Sequence, residues 1–441
     1  MSDTQQLTEL TLRLTELTLQ PTELTLRPTE LERAPAVLVG DVVRLIFANI
    51  IGECSPYTLA AVCRIWRNEA LGLSAMWDSM TIPARYVGDE AWLELADALL
   101  QRSGSVPLDI SLPWYNKVGR RQTKECLLLL QMISKEASRW RSVRLELPEH
   151  ATSFWLSIFD NPTPMLQELV VRMHPSFEKP SAYDDRTVAL PRVPLLNQLS
   201  ITHAPSLVLI IGGLTHLELS KSVPGYLIWR LLEVNARTLE HLAIALASPP
   251  SPRDFPWAQL RFGVLLSLCC GGYATELFEY NVRVSLPRVQ ELELRMCARG
   301  CGRVLVTDLR DQLTSIIYSP ERESIQWLDA CVLRPAHALR SLYLTADVDF
   351  EFLHECHDAW PLLERLTICG WRTMRTDAAD MLCALLHARG VEEFMLELIS
   401  PSRWVPVGIF DVYRLADRIL AHSPDGHSSQ YNIHVVFPRG A

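Results

Sequence analysis

The sequence predicts an α/β protein, with a small N-terminal domain of three helices followed by a repeat solenoid of curved parallel sheet and outer helices. Two observations carry this reading. An apolar template, Leu-x-x-Leu-x-Leu with apolar substitutes, recurs ten times between Trp140 and the C-terminal region. Ahead of it, residues 41 to 77 place apolar side chains at helical spacing around Trp66 and Trp77. The expected boundaries are a low-complexity tail over 1–34, a helical domain over 35–82, and the solenoid with a C-terminal cap over 83–441.

The tail repeats every seven positions, with Leu10, Leu17, Leu24 and Leu31 in one series. Such a heptad ordinarily suggests a coiled coil. Pro21 and Pro28 fall inside it, and Thr is a poor helix former, so the repeat reads as a disordered or transiently partner-binding tail.

A helix is expected over Asp41–Ile51, with Asp41 placed to cap its free amides. Its apolar residues Val42, Val43, Ile46, Phe47, Ile50 and Ile51 form two adjoining stripes, more than one core-facing side requires. Ser55-Pro56 reads as the next helix start, and Leu59, Val62, Cys63, Trp66 and Ala70 continue at helical spacing until Gly72. Met76-Trp77 then returns a large aromatic to the helices. A domain of this size buries little surface, and the surplus apolar stripe calls for a partner protein to cover it.

These residues resemble the F-box motif. The matching features are Asp41-Val42-Val43 with Leu45-Ile46-Phe47, then Leu59, the Val62-Cys63-Arg64-x-Trp66-Arg67 core, Ala70 and Met76-Trp77. The resemblance implies docking on a Skp1-type adaptor and, through it, a cullin. The adaptor-facing and supporting surface would come from Val43, Ile46, Phe47, Leu59, Val62, Cys63 and Trp66. Val39-Gly40 stands where the family has Leu-Pro.

Past this domain, Asp89 to Leu100 puts Trp92, Leu95, Ala96, Leu99 and Leu100 on one helical face. A turn at Arg102–Ser105 leads to the alternating strand Leu108, Ile110, Leu112. The template starts follow at Trp140, Leu166, Leu196, Leu214, Leu239, Val289, Leu313, Leu339, Leu363 and Val391, each trailed by two polar or charged residues. Neighbouring starts lie near 25 residues apart, for example 24 from Val289 to Leu313 and 26 from Leu313 to Leu339. The gap of 50 from Leu239 to Val289 equals two repeats. Leu265-x-x-Leu268-x-Cys270 fits inside it, as a strand or equally as helix. Tyr318 makes the Leu313 copy the weakest.

Helices between strands are expected around Phe154–Phe159, Leu227–Val234, Phe350–Cys356 and Met381–Leu386, and a last strand or cap at Tyr431–Phe437. Residues 104 to 400 thus resemble an irregular leucine-rich-repeat solenoid, and the whole chain an F-box/leucine-rich-repeat protein of the fungal type. The Asn ladder usual in that repeat family is missing, because Pro148, His174, Ala204, Ser222 and Trp371 stand at its positions. Proline-rich stretches at 174–194 and 248–256 read as surface loops.

Composition and motifs narrow the function. A net charge of −9 opposes a general nucleic-acid or anionic-membrane binder, and the longest apolar run, Leu207 to Leu214, is far short of a membrane span. Eleven scattered cysteines without a secretory signal read as reduced thiols of a cytoplasmic or nuclear protein. No phosphate loop or nucleophile elbow occurs, and no cofactor is expected. His354, Cys356 and His357 do not share one helix face, and Cys297 and Cys301 have no partner pair, so neither set is expected to hold a metal.

What remains is the concave face of the sheet. On each strand the residue between the last two template positions, and the one after them, should point outward. These are Arg144, Glu146, Glu218, Glu293, Arg295, Tyr343, Thr367, Met395 and Glu397. Their mixed charge suits a protein or peptide target. The resemblance therefore implies a non-enzymatic substrate receptor of a Skp1-cullin-F-box ubiquitin ligase. A non-catalytic interaction scaffold outside any ligase is the alternative.

Overall fold

Three apolar positions per repeat, two on one face of a strand and one in the turn that leads into it, can be buried only if successive repeats stack strand beside strand. A computed structural model of the chain has this arrangement. It describes residues 36–51, 54–81, 90–112, 122–148, 161–174, 193–202, 211–220, 225–247, 259–279, 284–295, 303–319, 336–344, 360–369, 394–399 and 431–436. Two units are distinct: residues 1–78 with Leu100–Val106, and Ser79–Leu99 with Pro107–Ala441.

In the first unit, α1 (Ala36–Ile50) begins five residues before the expected start. Nothing in Ala36–Val39 breaks a helix, so Asp41 lies within α1 and is no cap. Gly40 is also helical. A Cβ there would sit 2.9 Å from Oε1 of Glu69, whose carboxylate accepts the Nε–H of Arg44 at 2.5 Å.

The helix expected from Ser55 to Gly72 is two helices, α2 (Pro56–Val62) and α3 (Arg64–Gly72), broken at an extended Cys63. Arg67 holds the break. Its amide donates to the Cys63 carbonyl at 2.9 Å, and its Nε–H donates to the Ala60 carbonyl at 2.9 Å, satisfying an acceptor freed at the end of α2.

The core of this unit includes Val43, Phe47, Leu59, Ala70, Met76 and Trp77. Phe47 meets Trp66 edge to face at 5.2 Å. Trp77 stacks edge-on with Tyr57 at 5.5 Å, lies 4.9 Å beneath the Arg102 guanidinium, and donates its indole N–H to Ala70 O at 2.7 Å.

In the second unit the strands form one parallel sheet of fourteen, in an α/β arrangement of the solenoid kind. β1 (Ser79–Thr81), β2 (Leu108–Leu112), β3 (Trp140–Pro148), β4 (Glu168–His174), β5 (Gln198–Thr202), β6 (His216–Ser220) and β7 (His241–Leu246) run in chain order. β9 (Ser267–Gly272), β11 (Glu291–Arg295), β12 (Ser315–Ser319), β13 (Ser341–Leu344), β14 (Arg365–Cys369), β15 (Phe394–Ile399) and β16 (Tyr431–Val436) complete it. A separate two-strand parallel pair joins β8 (Leu260–Arg261) to β10 (Val284–Ser285).

Every template start now has its strand. The copy at Leu265 is β9, a strand and not a helix, and Tyr431–Val436 pairs with β15 as the final strand. β1 places the boundary of the sheet at Ser79 rather than 83. Among the described residues the template side chains are buried: Leu166, Leu265, Val289, Leu313, Leu339 and Leu363 are all fully enclosed, as is Tyr318 in the weakest copy. Each such burial contributes about 1.5–3 kcal/mol.

The residue after each template start builds a second ladder. The Gln167 carbonyl accepts the amides of both Asn197 and Gln198, at 3.0 and 3.1 Å. Asn197 does the same for Thr215 and His216, Thr215 for Glu240 and His241, and so on to Arg340 with Glu364 and Arg365. This backbone series ties each repeat to the next at the start of its strand. The start itself is set by a turn, since the Leu166, Leu196 and Leu363 amides donate to Thr163, Val193 and Trp360. Pro164, Pro194 and Pro361 occupy the second turn position, where a fixed φ is favourable. Pro194 is thus part of the repeat and not of a loop.

α4 (Glu90–Ser103), α5 (Gln122–Ser134), α6 (Gly225–Asn235), α7 (Thr275–Glu279) and α8 (Arg303–Leu309) are the remaining described α-helices. The helical face expected on α4 buries Ala96, Leu99 and Leu100. α6 realises the helix expected at Leu227–Val234 and ends on a buried Asn235. Its Nδ2 donates to Ile211 O (2.6 Å) and Leu231 O (2.8 Å), while Oδ1 accepts the Leu214 amide (2.9 Å). One side chain thereby joins two successive repeats. Asn235→Ala should cost about 2–3 kcal/mol by orphaning buried backbone groups, read as a lowered urea midpoint. An unchanged midpoint would show that the repeats do not depend on this bridge.

The N-terminal tail, the other three expected inter-strand helices, the loops at 175–192 and 248–256, and His354, Cys356, His357, Cys297 and Cys301 lie outside the described residues. Among the described residues no group of side chains could hold a metal ion, and no helix is long and apolar enough to cross a membrane.

Candidate interaction surfaces

Two surfaces emerge, one on each unit. On the first unit, the seven residues expected at an adaptor divide by burial. Phe47 is 0% exposed, and Val43 and Leu59 are also core, so Phe47 lies under the surface and not on it. Ile46 and Trp66 are half-buried, while Val62 (56%) and Cys63 are exposed. Val62 is the last residue of α2, beside the extended Cys63, and is exposed there although Leu59, one turn earlier on the same helix, is buried. Val42 (51%) and Leu45 (65%), one turn apart on α1, and Ile65 (48%) on α3 are exposed as well. Leu45 and Ile65 were legible as apolar residues, but their outward direction depends on where α1 starts and α2 stops.

On the second unit, the sheet face opposite the buried template carries three rows of side chains in register. Arg144, Val170, Ser200, Glu218, Ala243, Cys269, Glu293, Ile317, Tyr343 and Thr367 form the central row. Of the residues expected to point outward, Arg144, Glu146, Glu218, Glu293 and Arg295 line one trough of about 620 Å³. Tyr343 lies farther along the same row. Thr367 is a correction: it shares that row but is only 2% exposed, a short side chain beside the larger Tyr343. The side chains of Met395 and Glu397 lie outside the described residues, although β15 is in register.

Ion pairs organise the trough. Arg144 meets Glu168 at 2.8 Å, Arg172 meets Glu146 at 3.7 Å, and Arg295 forms a two-pronged pair with Glu293 at 2.6 and 2.9 Å. Such exposed pairs orient side chains more than they stabilise. The Ser142 and Ser200 hydroxyls donate to Glu168 (2.6 Å) and Glu218 (2.7 Å). His216 and His241 stack at 4.3 Å beside this row. Burial, and then the facing His241, lowers the His216 pKa below the usual histidine value.

Cys269 is pushed up to about 12 by burial first and then by the charge of Glu293, so its thiol stays protonated at neutral pH. Glu168, Arg172, His216, His241 and Cys269 are absent from the expected outward set. The residue just before the middle template position points the same way at a period of two, and that is the signal for Glu168, His216 and His241.

Compared with known proteins, the chain matches no family model and no curated protein.

Proposed function

We propose that the chain is the substrate receptor of a Skp1-cullin-F-box ubiquitin ligase, docking a Skp1-type adaptor through its first unit and a target protein through an irregular leucine-rich-repeat sheet. The observation that carries this reading is the set of apolar side chains left in water on a small three-helix unit, Val42, Leu45, Val62 and Ile65. Phe47, Val43 and Leu59 support that surface from beneath, with Ile46, Cys63 and Trp66 at its margin. The receptor does no bond chemistry. It raises the rate of ubiquitin transfer by holding the target close to the charged enzyme.

The test is co-purification with the adaptor, wild type beside Leu45→Asp. Leu45 is an exposed residue, so this substitution leaves the unit folded. Binding by the wild type with at least a tenfold loss in Leu45→Asp is the expected outcome. Equal binding by both moves the docking face elsewhere. Failure of both, with far-ultraviolet circular dichroism unchanged, favours the second reading, a scaffold outside any ligase. Gly40 inside α1, where the family has Leu-Pro ahead of the helix, is the feature that favours the scaffold.

A further inference from the structure

The floor of the trough is made of short residues. Ala243 and Cys269 stand beside Glu218 in the central row, and Ala245 and Gly271 stand behind them. Gly271 has no room for more, since a Cβ there would lie 2.9 Å from that of Ala245. Longer side chains flank this short-residue floor, Arg172 on β4 and Arg295 on β11. Five strand intervals separate β4 from β11, roughly 24 Å at the usual spacing. An extended segment of about seven residues spans that distance.

The charges inside are unequal. Each of the three arginines has a carboxylate against it, Glu168, Glu146 or Glu293. Glu218 has no ion-pair partner among the described residues. It is exposed at the middle of the floor, and its described hydrogen-bond donor is the neutral Ser200 hydroxyl. Burial, and then the facing His241, favour the uncharged form of the neighbouring His216. The raised thiol of Cys269 responds to the same field, with Glu293 and Glu218 among its causes after burial.

Resting on the reading that this sheet holds a protein target, we infer that an extended segment of the target lies across the trough and seats one lysine or arginine side chain on Glu218. The short side chains of Ala243 and Cys269 leave space for the aliphatic stem, and the Glu218 carboxylate receives the cationic head in a charge-assisted hydrogen bond. An acidic segment would meet the Glu218 carboxylate, which among the described residues has no close ion-pair partner and only the longer-range field of Arg295, and is disfavoured by like charge.

The test is selection of a phage-displayed random twelve-residue peptide library on the full chain, followed by binding of the winning peptides to variants. The winners should share one basic residue. Glu218→Gln keeps the Ser200 hydrogen bond and the fold but should weaken them about tenfold or more. Ala243→Leu, which fills the floor without touching charge, should weaken them comparably, and replacing the shared basic residue by norleucine should match the Glu218→Gln loss. Winners without a basic residue, winners indifferent to both variants, or no enrichment over an unrelated bait would each overturn the assignment. Adaptor co-purification reports separately. Adaptor binding without basic winners removes only the cation seat, and basic winners without adaptor binding remove only the ligase reading.

Discussion

Phe47→Ala is expected to unfold the first unit while leaving the parallel sheet intact. The Phe47 ring is fully enclosed and packs edge to face on Trp66, so truncation removes both its burial and an aromatic contact. The cost of such a change is about 3–5 kcal/mol. That approaches the whole stability of a small unit. Hydrogen exchange should show protection lost across α1, α2 and α3 and retained in β3 to β13. The same variant should lose adaptor binding, but through unfolding, whereas Leu45→Asp should lose it with protection intact. Retained protection in α1 after Phe47→Ala would mean that the unit draws its stability from elsewhere.

Gly272→Ala should be as damaging in the sheet. Gly272 ends β9 with φ +58, and a Cβ there would lie 2.1 Å from the Leu246 carbonyl oxygen and 3.2 Å from its carbon. That carbonyl accepts the Tyr273 amide at 3.1 Å, so relieving the clash means losing the bond that turns the chain toward α7. The expected loss is about 2–4 kcal/mol, read as a fall in melting temperature with weakened protection in β7, β9 and β11. Gly213→Ala is the matched control: φ is +90, but nothing lies within 4 Å of the added Cβ. It should cost only the left-handed conformation, about 1–2 kcal/mol. Equal losses for the two would show that the Leu246 contact relaxes freely.

The sheet was the most legible part of this protein. Its signal is local and repeated: Leu339, Leu342 and Leu344 read as one strand by themselves, and every other copy supports the same period. The copy at Leu265 was ambiguous because Leu266 puts an apolar residue where the others are polar, and Leu266 proves to be exposed. β1 and the β8–β10 pair escaped notice because two or three residues cannot display an alternation. In the first unit, the apolar spacing of Leu59, Val62, Cys63 and Trp66 suited one unbroken helix. The break falls at an extended Cys63, where Arg67 bonds to Ala60 seven residues back, and spacing alone does not reveal such a bond.

The open face was legible in direction but not in composition. Glu218 and Glu293 were expected to point outward and do. Glu293 pairs with Arg295 two residues along its own strand, whereas Glu218 meets the Ser200 hydroxyl 18 residues away, which only the register of neighbouring strands brings beside it.

The carbonyl series from Arg141 to Arg340 has a consequence for descent. The residues that supply those carbonyls are Arg141, Gln167, Asn197, Thr215, Glu240, Leu266, Gln290, Thr314 and Arg340, with no common chemistry among them. A ladder made of main chain places no demand on side-chain identity, and whole repeats can be duplicated or deleted without interrupting it. The ladder then leaves side chains outside the three apolar positions of a repeat free to vary, apart from local demands such as those at Asn235 and Gly272. A lineage built this way keeps its architecture long after its letters have ceased to advertise their ancestry.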